Sequence, residues 1–347
     1  MFESAVCSRY SVACSVLSRA MNEVLVNTVL AETGARGIRS ADVIQSLWSG
    51  YGEIVRLVLD GSQRDSVILK HIKLPEQGSH PRGWNTDLSH QRKIRSYQVE
   101  ACWYQTYSHK CDEHCPVPDC LAVYTGENET LLLLTDLDAS GYDLRKERVT
   151  AADIHACLDW MANFHAVFLG SATDGLWECG TYWHLGTHPD ELAALADKAL
   201  QAAALPIDKA LRQCRFQTLV HGDAKLANFC FTADSMHPRV AAVDFQYVGR
   251  GCGMKDVAYF IGSCLQEAEC EAQEGRLLDH YFAQLKRRVV ALHHAIDVDA
   301  LEQEWRALFD VAWADFHRFL KGWSPGHWKI NSYSEKLTRR VIERLQV

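Results

Sequence analysis

His221-Gly222-Asp223-Ala224-Lys225-Leu226-Ala227-Asn228 runs directly into the apolar Phe229-Cys230-Phe231, and Val240-Ala241-Ala242-Val243 then ends on Asp244-Phe245-Gln246. An aspartate stands five residues before an asparagine, and a second aspartate follows sixteen residues after that asparagine. Each polar residue sits at the edge of a short β-branched or aromatic run, so the pattern reads as a turn between two short strands with oxygen donors at the strand ends. Taken singly, Asp223 is an ordinary turn residue that accepts backbone hydrogen bonds. The ordered set of three at loop-scale spacing is far more specific.

The rest of the chain divides around this segment. Upstream, IQSLW, IVRLVL and SVILKHI between residues 43 and 73 are strand-length runs, separated by Ser49-Gly50-Tyr51-Gly52-Glu53 and by the hairpin signal Asp60-Gly61. Residues 74–88 carry Pro75, Gly78, Pro81 and Gly83 and read as a loop. Ser89 precedes a polar helix with Ile94, Tyr97, Ala101, Tyr104 and Tyr107 at helical steps, and Glu100 lies on it. LAVYTG and LLLLTDL supply two more strands that end at Asp138-Ala139-Ser140-Gly141. From Val149 the period becomes helical, with Ile154, Leu158, Met161, His165 and Phe168 on one face, and helices resume from 256 to 346. The expected class is α+β: an extension or helix over 1–40, a small β-rich lobe with one key helix over 41–137, and a larger, mainly α-helical lobe over 138–347.

Composition narrows the function. A total of 347 residues suits one large domain or two lobes, and 48% hydrophobic with 23% charged residues is globular. The net charge of −8 supplies no basic field, so nucleic acid is not an expected partner. No apolar run is long enough for a membrane helix. Thirteen cysteines, an odd number in so long a chain, fit reduced thiols and a cytoplasmic setting. Five serines, Arg9 and Arg19 within residues 1–20 are faintly transit-like, although a frayed extension explains them as well. His109, Cys111, His114, Cys115 and Cys120 offer zinc-type ligands without paired CxxC spacing, and an ordinary loop is the preferred reading.

The central motif resembles the kinase pair H-x-D-x-x-x-x-N and D-F-x. Phosphoryl transfer needs a base or aligner for the attacking hydroxyl, which suits Asp223. It also needs hard oxygen ligands for Mg2+ on nucleotide phosphates, which suits Asn228 and Asp244. With Gly222 in place of arginine, Asp244-Phe245-Gln246, and then Gly249, Gly251, Gly253 and Asp256, the chain resembles the aminoglycoside/choline kinase superfamily. Asp256-Val257-Ala258-Tyr259-Phe260, Glu100-Ala101-Cys102-Trp103-Tyr104 and Gly322-Trp323 look closest to its ecdysteroid-kinase-like branch, over residues 40 to 335.

The resemblance implies a bilobal protein-kinase-like fold that uses ATP and Mg2+ to phosphorylate a small hydroxylated molecule. Lys70 then looks like the third-strand lysine that contacts nucleotide phosphates, with Glu100 as its helix partner. Lys73 competes for that role, and Lys70 is preferred because it ends the apolar run directly. Gly50 and Gly52 would form a reduced phosphate-covering loop, or a plain hairpin turn. Thr135, Asp136 and Leu137 would offer backbone groups to adenine, or simply end a buried strand. Lys225 would neutralise the transferred phosphoryl group, while His221 and Asp256 brace the loop. The absence of an A-P-E element after Gln246 argues against an activation loop and a protein substrate. A pseudokinase that binds nucleotide or a partner without turnover is the alternative. Trp305, Trp313, Asp315, His317, Trp323, His327, Trp328 and Tyr333 are candidate acceptor contacts, and aromatic faces near a carboxylate suit a quaternary ammonium or a flat ring. Tryptophans at helical spacing are equally ordinary core.

Overall fold

The structure is a computed structural model that describes residues 23–47, 50–73, 87–126 and 128–345. The chain forms two compact units. One runs up to Tyr97 and includes Tyr104–His109 and Pro118–Gly141; the other comprises Gln98–Trp103, Lys110–Val117 and the chain from Tyr142 onward. Residues 1–20, Ser49 and the loop from 74 to 86 lie outside the described residues. No described helix is long and apolar enough to cross a membrane.

The first unit is built on a five-stranded antiparallel sheet in the order β1-β2-β3-β5-β4. Its strands are β1 (Gly37–Ser46), β2 (Gly52–Asp60), β3 (Ser66–Lys73), β4 (Cys120–Thr125) and β5 (Glu129–Thr135). The first strand starts several residues before the IQSLW run, because Gly37 pairs with Asp60 and the hairpin register carries pairing back from there. Alternation does the rest: Val55, Leu57, Leu59, Val67, Leu69, Leu131 and Leu133 share a core with Leu25 and Val29 of helix α1 (Glu23–Thr33). Lys70, one residue beyond Leu69, therefore points to the opposite face, where it is buried, paired in register with Ile54 and Leu132. Lys73 is exposed at the strand end. Glycine at 52 is obligatory: its φ is +126°, and a Cβ there would lie 1.9 Å from the His71 carbonyl oxygen.

An ion pair between a half-buried arginine and a buried aspartate braces this unit. Arg56 Nε donates to Asp136 Oδ2 at 2.6 Å and Nη2 reaches Asp138 at 2.5 Å, while Ser66 Oγ donates to Asp136 at 2.7 Å. Burial pushes the Asp136 carboxyl up, but Arg56 and Ser66 outweigh it and hold it below the usual range.

The second unit is mainly helical, so the α+β expectation holds. Helix α3 (Ala151–Val167) opens with a capping box between Thr150 and Asp153, and it buries Ile154, Leu158, Met161 and His165. Helix α2 (Asp87–Thr106) contributes Trp103, which stacks on Phe245 at 4.5 Å within an aromatic core that includes Trp160, Phe164 and Phe168. Helices α4 (Pro189–Ala194), α5 (Lys198–Arg212), α6 (Met254–Cys264), α7 (Glu267–Leu292), α8 (Val298–Trp323) and α9 (Ser332–Leu345) complete it. Two short ladders sit among them, β6 (Thr218–Val220) with β9 (Gly249–Gly251) and β7 (Phe229–Phe231) with β8 (Val240–Ala242). Strand β9 has no apolar run to announce it, since two of its three residues are glycine. The described cysteines are free thiols.

Arg56→Met should remove roughly 2–4 kcal/mol of stability, less than a fully buried pair because Arg56 keeps some solvent contact. The depressed Asp136 carboxyl contributes stability above the ordinary carboxylate pKa and loses it as pH falls through its own lowered value. The gap between wild type and variant, measured by urea unfolding, should therefore be widest at neutral pH and shrink in acid.

Candidate active site

The β7–β8 ladder brings the polar residues of the central motif together. Phe229 pairs with Ala242, so Asn228 lies opposite Val243 and its carbonyl accepts the Val243 N–H at 3.0 Å. Asp244 follows at once, in the left-handed region at φ 70°, which aspartate tolerates better than most residues. Phe245, fully buried against Trp103, Trp160 and His221, pins the next position. Local pairing and one aromatic anchor thus fix the two residues with oxygen ligands to offer.

Asp223 stands before this hairpin. Its Oδ2 accepts from Lys225 Nζ at 2.7 Å and from Asn228 Nδ2 at 3.1 Å, and its Oδ1 accepts from the Tyr259 hydroxyl at 3.2 Å. Asn228 Nδ2 also donates to the Asp223 carbonyl at 2.8 Å. With its amide nitrogen turned to Asp223, Asn228 has Oδ1 as the group to offer a cation. Burial raises the Asp223 carboxyl, Lys225 lowers it and the Asp244 charge raises it again, for a net upward shift. Burial lowers Lys225, but Asp223 and Asp244 outweigh that and keep it a cation. A carboxylate made more basic beside a fixed ammonium suits proton acceptance and charge neutralisation.

The loop itself is held from below. Asp256, fully buried in the first turn of α6, accepts the backbone N–H of His221 at 2.6 Å and of Gly222 at 3.0 Å, and His165 Nε2 at 3.1 Å. His221 Nε2 donates to the Val243 carbonyl at 2.9 Å while Nδ1 accepts from Asp223 N at 3.2 Å, so its partners assign the tautomer and give it a bracing role. Gly222 has φ +82°, and a Cβ there would lie 2.1 Å from the Tyr247 carbonyl oxygen.

Two contributors were not singled out as site residues by motif reading. Tyr259 lies three residues beyond Asp256 on the same helix face, a spacing that points both side chains at one loop. Lys329 carries no local signal. Its ammonium lies 5.2 Å from the Tyr259 ring centroid and 5.6 Å from those of Phe316 and Trp328. Burial lowers it, with Asp223 opposing and Lys225 adding to the shift, to about 8. Of the other aromatic candidates, Trp305 donates to the Phe216 carbonyl and Trp313 to Ser334, both as core. Asp315 pairs with Arg318 and Lys255, and His317 with Glu335.

In the first unit Gly50 and Gly52 both adopt positive φ and Lys70 is buried. Asp136 spends its side chain on Arg56, and its carbonyl accepts from Ser140 N at 3.2 Å and Oγ at 3.1 Å. Thr135 N–H donates to the Asp119 carbonyl, and the Leu137 carbonyl accepts from Ser140. Glu100, also buried, falls in the second unit. The cysteines and histidines between 109 and 120 are not the ones that gather: among the described residues, the ligand atoms within 4.8 Å of one another are those of Cys179, His184 and Asp208.

Residues 181–294 match the Ecdysteroid kinase-like family, a span that contains Asp223, Lys225, Asn228, Asp244, Asp256 and Tyr259. This is narrower than the 40–335 read from the motifs. Among solved structures, the chain is similar to a choline kinase from Cryptosporidium parvum Iowa II, with 9% identity, 89% of each chain covered and a TM-score of 0.51. It is also similar to a microcompartment-associated aminopropanol kinase, with 13% identity, 93% of this chain and 94% of that one covered, and a TM-score of 0.46. An aminoglycoside phosphotransferase from Streptomyces rimosus, in complex with ADP and streptomycin, has 14% identity, 82% and 97% coverage and a TM-score of 0.41. At such identities the likeness is one of fold. No curated protein matches the chain. The family match and the choline kinase likeness together bear out the kinase-like fold and the superfamily resemblance drawn from the motifs.

Gly222→Ala should cost roughly 2–4 kcal/mol, because a side chain must enter the left-handed region and displace the Tyr247 backbone. A thermal unfolding midpoint unchanged from wild type would contradict that geometry.

Proposed function

We propose that the chain is an ATP- and Mg2+-dependent phosphotransferase acting on the hydroxyl group of a small molecule. The observation that carries this reading is the clustering of Asp223, Lys225 and Asn228 by direct hydrogen bonds, with Asp244 held beside them by the hairpin. In the proposal Asp223 orients the acceptor hydroxyl and takes its proton. Its carboxylate keeps acceptor capacity beyond the three bonds it already makes. Lys225 places positive charge where negative charge builds on the transferred group. Asn228 through Oδ1 and Asp244 through its carboxylate would hold Mg2+, a donor set of hard oxygens that fits the ion. When bound, the metal supplies neutralisation of the nucleotide phosphates. Lys70, Gly50, Gly52 and Glu100 carry the nucleotide assignment that the resemblance implies; Thr135, Asp136 and Leu137 carry the adenine assignment through backbone groups alone.

The acceptor side is refined by Lys329. The aromatic faces of Tyr259, Phe316 and Trp328 already hold a cation, the chain's own ammonium. A quaternary ammonium acceptor would have to displace it, so a neutral or anionic hydroxylated molecule fits this surface better.

Asp223→Asn should lower turnover by roughly 10²–10⁴-fold while nucleotide binding persists. Asp244→Ala should abolish thermal stabilisation by Mg·ATP, which for wild type reaches about 2.7 kcal/mol at 100 times Kd. The assay is ATP-dependent mass gain of one phosphate across a panel of hydroxylated metabolites. Stabilisation of wild type by Mg·ATP with no phosphorylated product anywhere in the panel would favour the pseudokinase reading. Lys329 adds a pH test. Its ammonium is charged below about 8, so KM for an anionic acceptor should rise as pH passes through that value, and Lys329→Met should flatten the profile.

A further inference from the structure

A second cluster of reactive groups lies in the helical unit, and nothing in the proposed phosphotransfer uses it. Cys179 Sγ, a ring nitrogen of His184 and a carboxylate oxygen of Asp208 lie within 4.8 Å of one another. Lys255, fully buried, brings Nζ to 3.7 Å from Cys179 Sγ and 3.3 Å from the Gly180 carbonyl. His184 Nε2 is 3.4 Å from Asp208 Oδ1. Cys179 and Lys255 also line a surface-open cavity of about 90 Å³, together with Glu178, Arg212, Gln217 and Arg250.

Every charged group that faces the sulfur can be named. Lys255 and His184 approach it directly. Asp208 backs His184 and lies 3.8 Å from Arg212, Glu178 pairs with Arg212 at 2.9 Å, and Asp315 lies 3.7 Å from Lys255. Burial pushes the Cys179 thiol up, but Lys255 and His184 outweigh it and bring it below the ordinary value. Burial lowers His184, and Asp208 with Cys179 raises it to about 9. In contrast, burial pushes Cys120, Cys157, Cys264 and Cys270 up. A divalent cation among the same three groups would face the Lys255 ammonium, so this set favours an anionic sulfur over a metal.

We propose that Cys179 is peroxide-reactive and is the site at which this chain is oxidised to a sulfenic acid. The Cys179 sulfur electron pair attacks one oxygen of hydrogen peroxide and the O–O bond breaks. The departing oxygen takes the proton from the His184 imidazolium and leaves as water, so sulfur is oxidised, peroxide is reduced and His184 ends neutral. The Asp208 carboxylate, 3.4 Å from His184 Nε2, supports the positive charge on the ring, and the Lys255 ammonium supports negative charge on the sulfur during attack. The cavity gives hydrogen peroxide a path to the sulfur. The modified residue adjoins Gly180, whose N–H donates to Arg250, and precedes Tyr182, whose N–H donates to the Gly222 carbonyl beside Asp223.

The test is treatment of the full chain with hydrogen peroxide, trapping with dimedone and peptide mass mapping. The adduct should form on Cys179 roughly tenfold faster than on the more accessible Cys102, Cys111 and Cys120. Lys255→Met should slow it by a similar factor and Cys179→Ser should abolish it. A measurement on wild type alone guards against misfolded variants: alkylation of Cys179 by iodoacetamide should have a pH midpoint below that of an ordinary thiol. Adducts on the other cysteines with Cys179 unmodified, an ordinary or raised midpoint, or stoichiometric zinc bound to purified protein and blocking the adduct, would each overturn the proposal.

Discussion

The carboxylate of Asp256 is the constraint on which the candidate site rests. It is removed from water, and it is tolerated there because it accepts two successive backbone N–H groups of the loop and a histidine from α3. Those bonds hold the backbone of His221 and Gly222, with Gly222 in the positive-φ region that glycine permits. Once Gly222 is held at positive φ, Asp223 is presented to Lys225, Asn228 and Tyr259 together. The loop has little regular structure of its own, so its geometry is borrowed from a helix start and an aromatic core.

Charge inside the second unit is organised in linked sets. Lys255 and Arg318 share Asp315, Asp223 and Asp244 bracket Lys225, and His165 joins Tyr281 to Asp256. These buried charges have partners, as desolvation requires; Asp315 and Arg318 share one helix and Asp223 and Lys225 one loop, while Lys255–Asp315 and His165–Asp256 join different helices. The same arrangement that stabilises the loop therefore also produces unusual basicities at Asp223, Lys329 and Cys179. Polar networks of this sort specify one packing and tune reactivity at the same time.

Much of the architecture was legible in local pattern. Strand-length apolar runs located the strands of the large sheet, the 3.6-residue period placed α3 with Ile154, Leu158, Met161 and His165 inward, and short aromatic or aliphatic runs located β7 and β8. The start of β1, the short β9 and the exposure of Lys73 against the burial of Lys70 were less legible or invisible, because each depends on which strand pairs with which. In the site, the Asp223–Asn228 spacing and the strand ending at Asp244 could be read directly. Tyr259 was readable only through its helical spacing from Asp256.

Sequence alone determined the order of elements and the kinds of chemical group the chain can bring to bear, because both follow from periodicity and from side-chain chemistry within a few residues. Tertiary structure alone decided that Lys329 would fill an aromatic surface seventy residues from Tyr259, and that Cys179 would meet Lys255 and His184. Basicity and selectivity depend on distance through a low-dielectric interior, and no local pattern encodes that distance.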